Sequence, residues 1–244
     1  MTGPVETVLF DWGGTLTPWH TIDLHEQWRA YTEVSDPAQA DELAGCLHAA
    51  ELAAWQRAVR HRRSGTLDDL FRSCGIEPTG ERHEQALAAY HASWEPHTVI
   101  DPDVPPLLAA LRERAIRVGV LSNTLWPRAH HEAVFARDGV LELLDGAVYS
   151  SEIEWTKPHP RAFHAALAAV GATDPSRAVF VGDRPYDDIA GAKALGMRAV
   201  LVPHSTIPAD QQGLLEGEPD AVVQRLADVL TLVDEWNASG ARGR

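Results

Sequence analysis

Short apolar runs that alternate with helical periods constrain the fold of this 244-residue chain most strongly. Four clear runs and a weaker fifth have the length of strands, and such runs separated by helices are typical of a parallel sheet covered on both faces. The predicted strands are Thr7–Phe10, Ile116–Leu121, Ala147–Tyr149, Ala178–Val181 and Ala199–Val202. The predicted helices are Val104–Ala115, Pro127–Arg137, Pro160–Val170, Asp187–Leu195 and Ala221–Trp236. We therefore predict the α/β class, with a Rossmann-like parallel sheet.

Residues 18–97 have a different character, because they are rich in Ala, Leu, Glu, Gln, Arg and His and show no convincing strand. Helical periods are present instead, and Ser64-Gly65-Thr66 is one of the breaks between them. The predicted helices are Leu24–Val34, Ala38–Arg60, Leu67–Ser73 and Arg82–Trp94. This pattern predicts a helical domain at 18–97, inserted after the first strand of an α/β domain formed by 1–17 and 98–244.

Composition and charge narrow the classes of protein and partner. The formal net charge of −14 argues against a nucleic-acid partner, because phosphate backbones attract Lys and Arg, but it leaves a small phosphorylated substrate open. No apolar run is long enough to span a membrane, and no secretory signal is recognisable at the start. Cys46 and Cys74 lack a Cys-x-x-Cys spacing, so we expect reduced thiols and a cytoplasmic protein. The sequence gives no indication of an oligomeric state.

Four groups of polar residues lie at or after predicted strand ends, where open α/β sheets bind their ligands. Asp11 follows the first strand, Ser122 the second, Lys157 the third and Asp183 the fourth. Attack on phosphorus needs a nucleophile held in line and positive charge around the phosphoryl oxygens. A carboxylate, a hydroxyl, a lysine and an acidic metal site provide these functions, so the sequence indicates phosphoryl-transfer chemistry.

Taken in order, the motifs resemble those of the haloacid dehalogenase (HAD) superfamily of hydrolases. They are Asp11-Trp12-Gly13-Gly14-Thr15, Val118-Gly119-Val120-Leu121-Ser122-Asn123-Thr124, Glu154-Trp155-Thr156-Lys157-Pro158-His159-Pro160 and Val181-Gly182-Asp183-Arg184-Pro185-Tyr186-Asp187-Asp188-Ile189-Ala190-Gly191-Ala192. The resemblance implies a HAD core with a helical cap inserted after the first motif. It also implies hydrolysis of a small phosphorylated metabolite through an aspartyl-phosphate intermediate.

The resemblance assigns roles to individual residues. Asp11 is the expected nucleophile, and Lys157 is expected to pair with it and with the phosphate. The residues expected to bind the phosphoryl group are Gly14, Thr15, Ser122 and Asn123. Mg²⁺ prefers hard oxygen ligands. Its expected ligands are Asp11, the backbone carbonyl of Gly13, Asp183 and one of Asp187 or Asp188.

Gly13 departs from the first motif of the family, which usually reads Asp-x-Asp-Gly-Thr. The second Asp protonates the leaving group in the phosphatases, so we expect an atypical or missing general acid, for which His20 is one candidate substitute. The resemblance disfavours a phosphonate-cleaving enzyme, because 18–97 contains no lysine for a Schiff base. It also disfavours a metal-free dehalogenase, which typically carries Tyr at this place and lacks the acidic fourth motif. The alternative to an enzyme is a HAD-fold protein that binds a phosphorylated ligand or a protein partner without turnover.

Overall fold

Six parallel strands form one sheet in the computed structural model, which describes residues 3–18, 22–203 and 217–241. Their order across the sheet is β3-β2-β1-β4-β5-β6, so β1 lies in the middle between β2 and β4. The strands are β1 Thr7–Phe10, β2 Arg117–Ser122, β3 Gly146–Tyr149, β4 Ala178–Gly182, β5 Arg198–Leu201 and β6 Ala221–Val222. This is the strand order of doubly wound nucleotide-binding folds, and the predicted Rossmann-like sheet is confirmed.

Helices cover both faces of the sheet, and β1 shows how the faces are divided. Alternate side chains of a strand point to opposite faces. Val8 and Phe10 belong to the apolar cluster that contains α5 and α9, whereas Leu9 belongs to the cluster that contains α7 and α8. The helices are α1 Leu24–Ser35, α2 Ala40–His61, α3 Leu67–Ser73, α4 Glu81–Trp94, α5 Val104–Glu113, α6 Arg128–Arg137, α7 Pro160–Ala169, α8 Gly191–Ala194 and α9 Asp228–Ala241.

Helices α1 to α4 form the helical part of the chain between β1 and β2. Aromatic side chains fill its centre: Trp28 stacks on Tyr90 with 4.6 Å between ring centroids, and Tyr31 stacks on Phe71 at 4.7 Å. The described residues between β1 and β2 contain no strand of the sheet, in agreement with the predicted helical character. The division into two domains stays a prediction, because the buried apolar side chains run without a break from these helices to the sheet.

Two of the predicted helices are wrong in part. The predicted helix Ala221–Trp236 begins as a strand, because the Asp220 carboxylate and backbone N–H both bond to the backbone of Ala199 at 2.8 Å and bring β6 alongside β5. The predicted helix Asp187–Leu195 is a π-helical turn, Pro185–Ala190, followed by α8. A π-helical turn accommodates an extra residue per turn and is frequent at functional sites. The last strand was missed because two residues are too few for a recognisable pattern.

The prediction of reduced cysteines is also wrong. Cys46 on α2 and Cys74 at the end of α3 are joined by a disulfide, with 5.9 Å between their Cα atoms. The two thiols meet because α3 packs against α2 across 28 residues of sequence, a contact that spacing alone does not reveal. The cysteines therefore no longer support the expected cytoplasmic location. Within the described ranges, no helix is both long and apolar enough to cross a membrane.

Candidate active site

The first motif places a buried carboxylate at the carboxyl end of the central strand. The N–H of Asp11 donates to the carbonyl of Val181 at 2.9 Å, so pairing with β4 continues one residue beyond β1. A tight turn follows, in which the carbonyl of Trp12 accepts from the N–H of Leu16 at 2.8 Å. Gly14 has a φ of +94°, and a Cβ at this position would overlap the carboxylate of Asp183. Glycine is therefore required here, because it lets the turn approach the fourth motif.

Lys157 joins the third motif to the first and the fourth. Its Nζ lies 2.5 Å from Asp11 Oδ1 and 2.7 Å from Asp188 Oδ1, and the side chain is almost fully buried. Burial alone would lower the pKa of Lys157, but the carboxylates of Asp11 and Asp188 outweigh that effect and raise it. The ammonium therefore stays charged at neutral pH and offsets part of the negative charge of the site.

Asn123 holds the backbone of Lys157. Its Oδ1 accepts from the Lys157 N–H at 2.8 Å, and its Nδ2 donates to the Lys157 carbonyl at 3.1 Å. The sequence predicted a phosphoryl-binding role for Asn123, and the structure gives its amide this positioning contact. Ser122 is the last residue of β2 and is buried beside it. The neighbouring strand ends at the same level, since Ser122 is in register with Tyr149 of β3.

The fourth motif brings two further carboxylates to Asp11. Asp188 lies in the π-helical turn, and its Oδ2 accepts from the N–H of Arg184 at 2.9 Å. Gly182, whose role was not predicted, is required because a Cβ there would overlap Asp188. Burial raises the pKa of Asp188 to about 7, and burial together with the Asp11 and Asp188 charges raises that of Asp183 well above its ordinary value.

These three carboxylates fit a divalent cation. One oxygen from each of Asp11, Asp183 and Asp188 lies within 4.8 Å of the other two, and all three residues are buried. Among the described residues, Asp183 Oδ2 is buried without a hydrogen-bond partner, and the cation that pairs with it, Arg184 Nε, is 3.7 Å away. A hard cation such as Mg²⁺ would satisfy that oxygen and the excess negative charge. Of the two predicted alternatives, Asp188 belongs to this cluster and Asp187 does not.

The remaining predicted residues surround the same carboxylates. The Thr15 hydroxyl lies between Asp11 Oδ2 at 3.4 Å and Asp183 Oδ1 at 3.5 Å. A Cβ at Gly13 would meet no atom of the described residues within 4 Å, so those residues leave room for a side chain here. The carbonyl of Gly13 as a metal ligand stays a prediction. His20, the candidate general acid, lies outside the described residues.

Comparisons with known proteins show which proteins this chain is similar to. A family model for haloacid dehalogenase-like hydrolases matches residues 5–196. A glyceraldehyde 3-phosphate phosphatase of Methanopyrus kandleri is 27% identical over 231 residues, which cover 95% of this chain and 98% of that protein.

Solved structures share the fold. A HAD phosphatase from Thermococcus onnurineus has a TM-score of 0.66 and 21% identity, over 94% of this chain and 98% of that one. A 2-haloacid dehalogenase from Pseudomonas syringae pv. tomato has a TM-score of 0.64 and 24% identity, over 95% of this chain and 99% of that one. Because a phosphatase and a dehalogenase match equally well, the fold alone does not choose between the two reactions.

Proposed function

Because this chain belongs to the haloacid dehalogenase-like hydrolase family, we propose that it hydrolyses a small phosphorylated metabolite through an aspartyl-phosphate on Asp11. The observation that carries the proposal is the buried Asp11 carboxylate, with Lys157 Nζ at 2.5 Å and two further carboxylates beside it. A metal-free dehalogenase would have no use for that acidic cluster. The name of the Methanopyrus relative, which spans nearly the whole chain, supports a small phosphate ester as substrate.

In the proposed first step, an Asp11 oxygen forms a bond to phosphorus while the bond from phosphorus to the ester oxygen breaks. In the second step, water attacks the phosphorus of the acyl phosphate, which releases inorganic phosphate and restores the carboxylate. The Lys157 ammonium lowers the repulsion between the Asp11 carboxylate and the approaching phosphate dianion. Its short contact with Asp11 also holds the nucleophile in one orientation.

Asp11, Asp183 and Asp188 are the side chains proposed to hold Mg²⁺, with the Gly13 carbonyl as a further ligand. When bound, Mg²⁺ would neutralise negative charge on the phosphoryl oxygens. Asp183 Oδ2 has no hydrogen-bond partner among the described residues, which supports this proposal because a cation would satisfy it. The pKa of Asp183, which is raised by burial and by the charges of Asp11 and Asp188, points the same way. Thr15, Gly14 and Ser122 are proposed to contact the phosphoryl group.

We further propose that α1 to α4 act as the cap and that the substrate is a small molecule rather than a nucleic acid. The formal net charge of −14 supports a small-molecule substrate, since a polyanion would be repelled from most of the surface. The hydrogen bonds between 62–66 and the third motif support the cap role, because they join the segment between α2 and α3 to the motif that carries Lys157.

The test of the proposed function is the rate of hydrolysis of matched aryl and alkyl phosphates during a titration with Mg²⁺. We expect Mg²⁺-dependent turnover, with the aryl phosphate faster by about 100-fold or more, because general acid catalysis of leaving-group departure contributes about 10²–10⁴-fold where it is present. A phenolate leaves readily without a proton, whereas an alkoxide does not. Equal rates on the two esters would contradict a missing acid. No turnover on a panel of phosphate esters with several divalent metals would favour a protein that binds without turnover.

Gly13→Asp is expected to raise the rate on the alkyl phosphate by about 10-fold to 100-fold, because it restores a carboxyl group that can protonate the leaving oxygen. The backbone accepts a Cβ at this position, which would meet no atom within 4 Å in the part of the chain that the structure describes. The measurement is kcat on the matched aryl and alkyl phosphates. Gly45→Asp is the control, because a Cβ there also meets nothing but the residue lies on α2. A folded Gly13→Asp variant without a gain would show that another group serves as the acid.

A further inference from the structure

A short piece of backbone pairing joins the helical part of the chain to the third motif. The turn between α2 and α3, residues 62–66, runs antiparallel to residues 153–156. The N–H of Ser64 donates to the carbonyl of Glu154 at 3.2 Å, and the N–H of Thr156 donates to the carbonyl of Arg62 at 3.2 Å. The hydroxyl of Ser64 also donates to the carbonyl of Ile153. This pairing ends one residue before Lys157.

Trp155 stands at the centre of this contact. The Arg63 guanidinium carbon lies 4.1 Å from the centroid of the indole ring, and the His159 imidazole stacks on the ring at 3.9 Å with an angle of 14° between the planes. The Arg161 guanidinium carbon also lies over the ring, at 5.4 Å, so the indole packs against groups from both the turn at 62–66 and the start of α7. Arg63 also forms an ion pair with Glu154. A guanidinium on an aromatic face is a favourable and directional contact.

The two stacked residues flank Lys157 in the sequence, because Trp155 lies two residues before it and His159 two residues after it. On its other side, the Lys157 backbone is held by the Asn123 amide. The segment that carries the lysine is therefore fixed between the end of β2 and the turn at 62–66. Tyr186 adds a second connection, since its hydroxyl accepts from Arg62 at 2.8 Å and it lies in the same π-helical turn as Asp188.

We propose that Trp155 is a positioning residue, which ties the turn at 62–66 to the backbone of Lys157 and thereby fixes the ammonium against Asp11. The proposal rests on the proposed function. A lysine side chain has four flexible carbons, so the position of its charge depends on where the backbone is held. Without the stack, the turn and the segment 153–156 keep their backbone hydrogen bonds but lose the side-chain packing on the Trp155 ring. Lys157 would then sample positions in which the Asp11 carboxylate is less well aligned.

The test compares Trp155→Ala with the conservative variant Trp155→Phe. We expect kcat of Trp155→Ala on an aryl phosphate to fall by about 10-fold to 100-fold with little change in KM, because a misplacement of about 1 Å can cost that much. Trp155→Phe keeps an aromatic face and is expected to recover most of the rate. Trp236→Ala is the matched control, because the Arg198 guanidinium carbon lies 5.2 Å from that indole ring but Trp236 is on α9. Arg63→Met, which removes the guanidinium from the ring together with its ion pair to Glu154, is the second variant if Trp155→Ala does not fold, and the same fall in kcat is expected.

Limited digestion with trypsin gives a readout that does not depend on turnover. Arg62 and Arg63 lie in the paired turn, so cleavage after them is expected to be slow in the wild type and faster in Trp155→Ala but not in Trp236→Ala. A folded Trp155→Ala variant with wild-type kcat would overturn the proposal. If the wild-type protein hydrolyses no phosphate ester, the proposed function fails, while tryptic cleavage still tests the contact. An unchanged cleavage rate would then overturn the role of Trp155.

Discussion

Asp11→Asn is expected to abolish the hydrolysis of phosphate esters, with a fall in kcat of more than about 10⁴-fold, as is usual for loss of a nucleophile. An amide has almost the shape of the carboxylate but does not attack phosphorus. The Asn oxygen can still accept from Lys157 Nζ, which lies 2.5 Å from Asp11 Oδ1, so the site is expected to keep its arrangement. The measurement is kcat on an aryl phosphate at saturating Mg²⁺, with circular dichroism to confirm the fold.

Trapping the intermediate tests the same residue by chemistry instead of rate. Acid quenching during turnover of a ³²P-labelled ester is expected to leave label on the wild-type protein, in a bond that hydroxylamine cleaves, and none on Asp11→Asn. Asp68→Asn is the control, because Asp68 is an exposed carboxylate on α3 that is paired with Arg72. Turnover by Asp11→Asn above about 1% of the wild-type rate would show that the nucleophile is another group.

The elements of the fold that the sequence predicted correctly are those that residues close together in the sequence determine. The strand Thr7–Phe10 is confirmed residue for residue, because a strand buried on both faces is apolar along its whole length. Helix Leu67–Ser73 is also confirmed, since Thr66 and Asp69 cap each other at its start. Both signals are complete within a few residues of sequence.

The parts that were not predictable depend on contacts between distant segments. Cys46 meets Cys74 only because α3 packs against α2. The choice between Asp187 and Asp188 depends on which way the π-helical turn directs each side chain, and neighbouring residues give no local signal for that. The stack on Trp155 joins residues 63, 155 and 159, and the sequence shows only that 62–66 follows a helix.

The candidate site was more predictable than the contacts around it. The carboxyl ends of parallel strands meet at one edge of a sheet. Because each motif follows a strand, their order already predicts that Asp11, Lys157, Asp183 and Asp188 lie together. The glycines at 14 and 182 carry a signal that was missed, since a residue without Cβ beside an acidic motif indicates a close approach. What the sequence did not contain is how Asn123 and Trp155 hold the lysine.

Lys157→Met is expected to lower the free energy of unfolding by about 3–5 kcal/mol in EDTA, because removing one partner of a buried ion pair leaves uncompensated charge behind. Methionine fills a similar volume, so packing changes little. The variant leaves Asp11 and Asp188 without the cation that contacts both of them. Some of the loss is moderated by proton uptake at Asp188, since burial already raises the pKa of this group to about 7 with the lysine in place. The measurement is chemical denaturation at pH 8, where proton uptake compensates less than it does at neutral pH.

Lys193→Met is the matched control, because Lys193 is the other lysine of the chain and pairs with Asp220 at 2.6 Å on an exposed surface. A pair of that kind contributes about 0–1 kcal/mol, so this variant is expected to unfold almost as the wild type does. Mg²⁺ should then restore more stability to Lys157→Met than to Lys193→Met, since only the former has lost positive charge next to the three carboxylates. Equal losses in the two variants, or no effect of Mg²⁺ on either, would contradict a charged lysine and a cation site that balance the same cluster.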